Sequence, residues 1–163
     1  MGGSILTAMP TELEKQLGVA FTQPHLLEQA RTHCSWVNEH RGQGLISNER
    51  LEFLGDSVLG VVISQWLFES FPDVGEGELS RLRAQLVEAP ACAGYAKELG
   101  LEPFLLLGKG EKRNIGRGRD SVLADFFEAV IGALFLDGGF EAARAFLLGP
   151  CLPLLGATQD ATE

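Results

Sequence analysis

In the stretch NERLEFLGDSVLG, residues 48–60, three carboxylates interrupt an otherwise apolar helical pattern: Glu49, Glu52 and Asp56. At 3.6 residues per turn, their separations of three and four place them along one stripe of a helix. A second stretch, VLADFFEAVIGALFL, is sharper, because Asp125 and Glu128 are its only charged residues and again lie three apart. A helix this apolar on every side is expected to be buried. An ionised carboxylate taken out of water needs a compensating partner or else takes up a proton. Apart from Arg50, neither stretch carries a lysine or arginine at a matching position, although Arg81 or Arg83 can supply charge from elsewhere.

Two helices that each present carboxylates on one face can build a metal site between them. All the donors are oxygens, with no Cys or His at suitable spacing, which selects Mg²⁺ or Mn²⁺ over zinc or copper. Two blander readings compete with this one. Glu49, beside Arg50, has the character of an ordinary solvated acid, and the whole set can serve a structural network of buried ion pairs. His33 beside Cys34 is a further pair of metal-binding types, but adjacent residues rarely converge on one ion.

The net charge of −9 argues against nucleic-acid binding by overall electrostatics alone. The charges are segregated, however. Five of the thirteen basic residues, Lys109, Lys112, Arg113, Arg117 and Arg119, fall within KGEKRNIGRGR. An acidic cluster together with a basic, glycine-rich loop suggests phosphodiester chemistry, with those five as candidate phosphate contacts and Asn48, Gln65 and Ser80 as further polar positions.

The elements that must position these groups read as helical almost throughout, and no run alternates cleanly enough for a half-buried strand. The spacing predicts an all-α domain. Pro10 and Thr11 open a first helix that Gly18 stops; Thr22 and Pro24 open a second, HLLEQARTH; NEHRGQGLIS is a loop. The longest helix is expected from about Asn48 to Phe71, ended by Pro72. LSRLRAQLVEA and ACAGYAKELG follow, then the basic loop, a helix capped by Asp120 or Ser121 and closed by Gly138, and a last helix through FEAARAFLL. At 163 residues with 45% hydrophobic content, one domain is expected, at 10–153, with an N-terminal extension at 1–9 and a polar tail at 154–163. No secretory signal and no uncharged apolar run of about 18 residues occurs, and Cys34, Cys92 and Cys151 suggest neither a disulfide framework nor a zinc knuckle. These features point to a cytoplasmic protein with no membrane partner.

NERLEFLGDSVLG resembles the signature of the ribonuclease III family, the double-strand-specific endoribonucleases. ARTHCSWVNE resembles the segment before that signature, FPDVGEGELSRLRAQLV the segment after it, and LGKGEKRNIGRGRDSVLADFFEAVIGALFLDGGFEAAR the second catalytic block. The resemblance implies Mg²⁺-dependent hydrolysis of double-stranded RNA, as in the processing of ribosomal, messenger or small RNA, with Mn²⁺ able to substitute. It implies that Glu52, Asp56, Asp125 and Glu128 bind the divalent ion, that Asp56 and Glu128 are catalytic, and that Glu49 and Glu76 are secondary acidic positions. It further implies an all-helical endonuclease fold that forms a homodimer, with Phe53 packing into the partner. Thr32-His33-Cys34-Ser35 and Ser47-Asn48-Glu49-Arg50 depart from the commonest family wording without removing a carboxylate. Bacterial members usually append a double-stranded-RNA-binding domain, and the sequence here ends at LGATQDATE, as expected of an excised catalytic domain or a naturally short member. Some relatives are ribosome-associated binding proteins that have lost these acids, which leaves binding without catalysis as the chief rival.

Overall fold

The computed structural model describes residues 11–113 and 117–151, Arg117 by its backbone alone. The expected extension at 1–9, the tail at 154–163 and the centre of the basic stretch at 114–116 lie outside the described residues. Among the described residues eight α-helices follow in order: α1 Glu12–Leu17, α2 Pro24–Ala30, α3 Cys34–Glu39, α4 Glu49–Ser70, α5 Glu76–Val87, α6 Ala89–Glu98, α7 Lys109–Lys112 and α8 Arg117–Leu148, with a 3-10 turn at Glu102–Phe104 between α6 and α7. The all-α expectation holds among the described residues. A single isolated bridge, Thr32 to Leu106, is the one extended pairing there.

Local chemistry explains most of the boundaries. The Thr11 hydroxyl accepts from the Glu14 N–H at 3.2 Å while the Glu14 carboxylate accepts from the Thr11 N–H at 3.3 Å, a reciprocal box that opens α1. Gly18 closes it with φ 70°. At α2 the Thr22 cap is corrected: Gln23 is the N-cap, and the N–H groups of Thr22 and Gln23 donate instead to the Asp137 carboxylate of α8, at 3.0 and 2.7 Å. The chain expected to run on to His33 as one helix breaks at Arg31, and CSWVNE becomes α3. The cause is long-range: the Leu106 N–H donates to the Arg31 carbonyl at 2.8 Å and the His33 N–H donates to the Leu106 carbonyl at 3.1 Å, which pulls this backbone out of helical bonding.

α8 is two helical segments joined at a kink, so the expected stop at Gly138 holds. It bends at Gly139, whose φ of 80° and ψ of −175° divide it into the two segments expected from sequence. Asp120 and Ser121 lie inside α8, whose start at Arg117 precedes the expected caps. Basic residues expected in a loop include the short helix α7.

The core is a sandwich of helices around α8, which packs most extensively on α4 and next on α6. Phe126, Phe127, Ile131, Leu59, Ile63 and Leu67 are fully buried there. By length and composition α4 could cross a bilayer. Here its inner side, including Leu51, Val58, Leu59 and Val62, is core. The two helices touch backbone to backbone. A Cβ at Gly55 would stand 1.7 Å from the Glu128 carbonyl oxygen, and one at Gly132 would stand 2.2 Å from the Leu51 carbonyl oxygen.

Gly55→Ala or Gly132→Ala is therefore expected to force α4 and α8 apart and to destabilise the fold by about 3 kcal/mol, the upper range for overpacking. Gly94→Ala in α6, where a Cβ meets nothing within 4 Å, is expected instead to stabilise by about 0.5 to 1 kcal/mol. Urea denaturation midpoints of the three variants check this; equal midpoints would mean that the helices do not make this contact.

Candidate active site

The glycine contact decides where the acids go. Glu52 and Asp56 flank Gly55 on α4, and Asp125 and Glu128 lie in the facing turns of α8. Glu52, Asp125 and Glu128 are half-buried, whereas Glu49 and Asp56 are exposed. Glu52 and Asp125 share a hydrogen bond between their carboxyl groups. Two carboxyl groups can do this only if one keeps a proton. Burial pushes the Glu52 carboxyl up to about 7, with the charges of Asp125, Glu49 and Asp56 adding to the shift. Burial likewise pushes Glu128 up to about 8, aided by Asp56, Glu52 and Asp125. Asp125 is raised by burial and by Glu49, against the hydrogen bond from Glu52 and the neighbouring His33, which favour its charged form. The four acids expected to converge thus act on one another. Beneath them, the buried Cys92 Sγ lies 4.0 Å from a Glu128 oxygen and 3.5 Å from the Val87 carbonyl oxygen.

The ion-pair reading fails for want of partners. Among the described residues no ion pair involves Glu49, Glu52, Asp56, Asp125 or Glu128. Arg81 pairs with Glu78, and Arg83 donates to the Ser64 hydroxyl at 3.1 Å. Among the described residues no lysine or arginine pair compensates the negative charge. Also among the described residues, no three His, Cys, Asp or Glu side chains stand in a ready-made coordination group. The acids are gathered, with Glu52 and Asp125 engaged with each other, rather than closed around a point.

The other expected residues are spread around this centre. Glu49 begins α4, and burial together with its nearby negative charge pushes the Cys34 thiol up. Glu76, the first residue of α5, borders a separate cavity of about 250 Å³ with Ser64, Leu67, Phe68, Leu79, Ser80 and Arg83. Phe53 is 80% exposed, too high for a ring held by its own fold, and Val61 and Phe68 are exposed further along α4. Lys109, Lys112 and Arg113 are exposed, as phosphate contacts require. Arg119 is otherwise engaged: it pairs with Glu102 at 3.3 Å and donates to the Glu111 and Lys112 carbonyls at 3.2 and 3.0 Å, holding the loop together. The Arg117 side chain lies outside the described residues. Asn48 is corrected from a possible RNA contact to an anchor, for it is buried, with its amide donating to the Ala30 carbonyl at 3.0 Å and its N–H to the Thr32 carbonyl at 2.9 Å. Sequence reasoning overlooked the part played by His33, Ser35 and Gly108 at the junction of acids and basic stretch. The signal is in Thr32-His33-Cys34-Ser35, a capping pattern that the sequence reading takes for metal-binding types and for a departure from the family wording.

Because folding raises the proton affinity of Glu52, Asp125 and Glu128, the folded chain holds more protons than the unfolded one between the ordinary carboxylate range and about pH 8. Stability should therefore fall as pH rises through that window. In chelator-containing buffer the melting temperature is expected to drop between about pH 5 and about pH 8, and Glu128→Gln is expected to flatten the drop and to melt above the parent at the alkaline end. Parallel melting curves for parent and variant at every pH would refute this coupling.

The chain matches the family model described as Ribonuclease-III-like over residues 23–154. It is 55% identical over 135 residues to "Ribonuclease 3" of Protochlamydia amoebophila, covering 83% of this chain and 55% of the relative. With "Ribonuclease 3" of Enterococcus faecalis it shares 47% identity over 149 residues, 91% of this chain and 65% of that one. The chain thus spans 55% to 65% of the length of these curated relatives. Among solved structures, the nuclease domain of ribonuclease III from Campylobacter jejuni superposes with a TM-score of 0.76 at 40% identity, covering 90% of this chain and 95% of that one. Dicer from Pichia stipitis superposes with a TM-score of 0.61 at 28% identity, covering 87% of this chain and 60% of that one. An all-helical fold that brings the signature acids of α4 against those of α8, over the span that the family model matches, makes this chain a member of the ribonuclease-III-like family.

Proposed function

We propose that this chain is a divalent-metal-dependent endoribonuclease that hydrolyses phosphodiester bonds in double-stranded RNA. The observation that carries the reading is the set of four carboxyl groups gathered at the α4–α8 contact, none of them in an ion pair among the described residues. Family membership supplies the substrate class. The chemistry of the donors fits a hard cation: every one is oxygen, three are held proton-rich by burial and by each other, and a cation would remove that penalty. Glu52, Asp125, Glu128 and Asp56 would hold Mg²⁺, with Mn²⁺ as a substitute. When bound, such an ion supplies Lewis acidity and positive charge to the phosphoryl group.

The protein's own groups do the rest. Asp56, the exposed member, orients the attacking water by accepting its hydrogen bond, and Glu128 acts with it as the second catalytic carboxylate. Low dielectric on the α8 side strengthens these interactions relative to water. Glu49 and Glu76 play secondary parts. Lys109, Lys112 and Arg113 contact phosphates flanking the cut, and Arg119 holds their loop in shape. A-form RNA is recognised largely by shape and backbone, so little base-reading apparatus is needed. The natural targets are ribosomal, messenger or small RNA precursors in the cytoplasm, with no membrane partner, and residues 10–153 are the catalytic domain.

The exposed Phe53, Val61 and Phe68 of α4 support a homodimer, since large apolar side chains aligned on one helix call for a cover. A two-fold axis presents one acid cluster to each strand of a duplex. A Campylobacter jejuni ribonuclease III nuclease domain is described as having a region involved in dimer formation.

Incubated with a long RNA duplex, the protein is expected to cut only when Mg²⁺ or Mn²⁺ is added and to spare the single strands. Asp56→Ala and Glu128→Ala are expected to slow cutting about a thousandfold or more, as loss of several kcal/mol of charge stabilisation requires. A parent that binds duplex without cutting it would instead make the chain a binding protein. Phe53→Glu is expected to shift the sedimentation of the protein from dimer to folded monomer; an unchanged sedimentation coefficient would rule out this face as the interface.

A further inference from the structure

The acid cluster and the basic stretch are joined through one short segment, residues 33–39. His33 caps α3, its Nδ1 accepting from the Ser35 N–H at 3.1 Å and lying 2.7 Å from the Ser35 hydroxyl. That hydroxyl also accepts from the Gly108 N–H at 2.9 Å, and Glu39 accepts from the Lys109 N–H at 2.8 Å, so the N-terminal end of the basic α7 is fastened to α3. Gly108 has no room for a side chain, since a Cβ there would stand 2.8 Å from the Ser35 carbonyl oxygen. On its other side His33 lies close enough to Asp125 for a charge on its ring to favour the ionised carboxylate. His33 therefore lies between the acids of the proposed active site and the cations of the proposed RNA contact.

The capping bond fixes the ring chemically. A backbone N–H can only donate, so Nδ1 must accept, and the neutral imidazole carries its hydrogen on Nε2. The ring is half-buried, and its one remaining donor, Nε2–H, lies 3.9 Å from the Cys34 sulfur, a weak acceptor that a phosphate oxygen outcompetes. A phosphate entering this region meets carboxylates on one side, and among the described residues His33 is the one basic group found acting on Glu52, Asp125 or Glu128. A neutral N–H is well suited there, because it binds a phosphate oxygen without pairing permanently with the acids.

Resting on the nuclease reading above, we infer that His33 contacts the RNA itself, its Nε2–H donating to a phosphate oxygen of the strand that runs from the basic stretch to the acid cluster. The two nitrogens have separate tasks and can be removed separately. Asn places a polar atom where Nδ1 stands and keeps the cap; Gln places an amide N–H near Nε2 and loses it.

The test uses the full chain as His33→Asn and His33→Gln, with a blunt RNA duplex as probe. Duplex affinity is measured in chelator over a range of salt, cleavage in Mg²⁺, and melting temperature alongside. His33→Asn is expected to melt with the parent, yet to bind duplex about fivefold more weakly, as for one lost hydrogen bond to a charged group. Its salt slope should match the parent's, because a neutral donor releases no counterion. His33→Gln is expected to melt lower while binding like the parent. The inference is overturned if His33→Asn binds and cuts like the parent, or if affinity follows melting temperature across the variants, which marks a cap and nothing more. A parent that binds duplex but does not cut it refutes hydrolysis and leaves the affinity comparison to decide on His33. A parent that does neither overturns both.

Discussion

Two glycines that let α4 and α8 meet backbone to backbone are the constraint on which the remaining structure depends. With a side chain at Gly55 or Gly132 the helices would have to separate, because each Cβ would overlap a carbonyl oxygen of the other helix. The residues next to the contact are the acids. Close approach therefore does two things at once: it seals Leu59, Ile63, Phe126 and Phe127 into the core, and it forces Glu52, Asp125 and Glu128 into a region with little water. The first stabilises and the second opposes it, since each carboxyl group disfavours the ionisation of its neighbours. A fold selected for stability alone would put a lysine or a leucine at one of these positions. That it keeps four acids there is best understood as strain held in place by the surrounding core.

The frame that carries the acids also fixes their distance from the basic stretch. Backbone hydrogen bonds link Thr32 to Asn48 at the start of α4, and Arg31 and His33 to Leu106 on the way to α7. Asn48 adds its amide to the Ala30 carbonyl. Three chain segments far apart in sequence thus meet at one knot, from which α3, α4 and the basic segment diverge. Arg119 completes the arrangement by satisfying carbonyls at the end of α7 rather than facing solvent. A positive charge counted in a loop is not the same as a positive charge available to a ligand.

What could be read from the sequence and what could not divide along the range of the interactions. The carboxylate stripes follow from helical periodicity, and Asp125 and Glu128 are conspicuous because nothing else in their helix is charged; both are local signals, and both hold. The box at Thr11 and Glu14 and the bend beside Gly138 are equally local. The break between α2 and α3 is not, because it is made by Leu106, more than seventy residues away in the chain. The cap of α2 comes from Asp137, more than a hundred residues away. Asn48 looks like a surface polar residue until the carbonyls that bury it are in view, and Arg119 looks like a free cation until Glu102 is. Misassignment followed wherever a polar side chain had a distant backbone partner.

α4 carries three kinds of surface on one rod: core on the side of Leu59 and Ile63, acids on the side of Glu52 and Asp56, and exposed apolar groups at Phe53, Val61 and Phe68. Phe53 adjoins Glu52 in sequence, so whatever covers the ring comes to rest beside the cluster. In the proposed dimer that cover is a second copy, and association would then alter the surroundings of the acids as well as hide apolar surface. Removing water from their flank lowers the local dielectric and makes uncompensated negative charge costlier. The same exclusion strengthens attraction for a cation. Subunit pairing and ion binding would on this account reinforce each other, and a monomer that kept every carboxylate in place would still hold the ion less well.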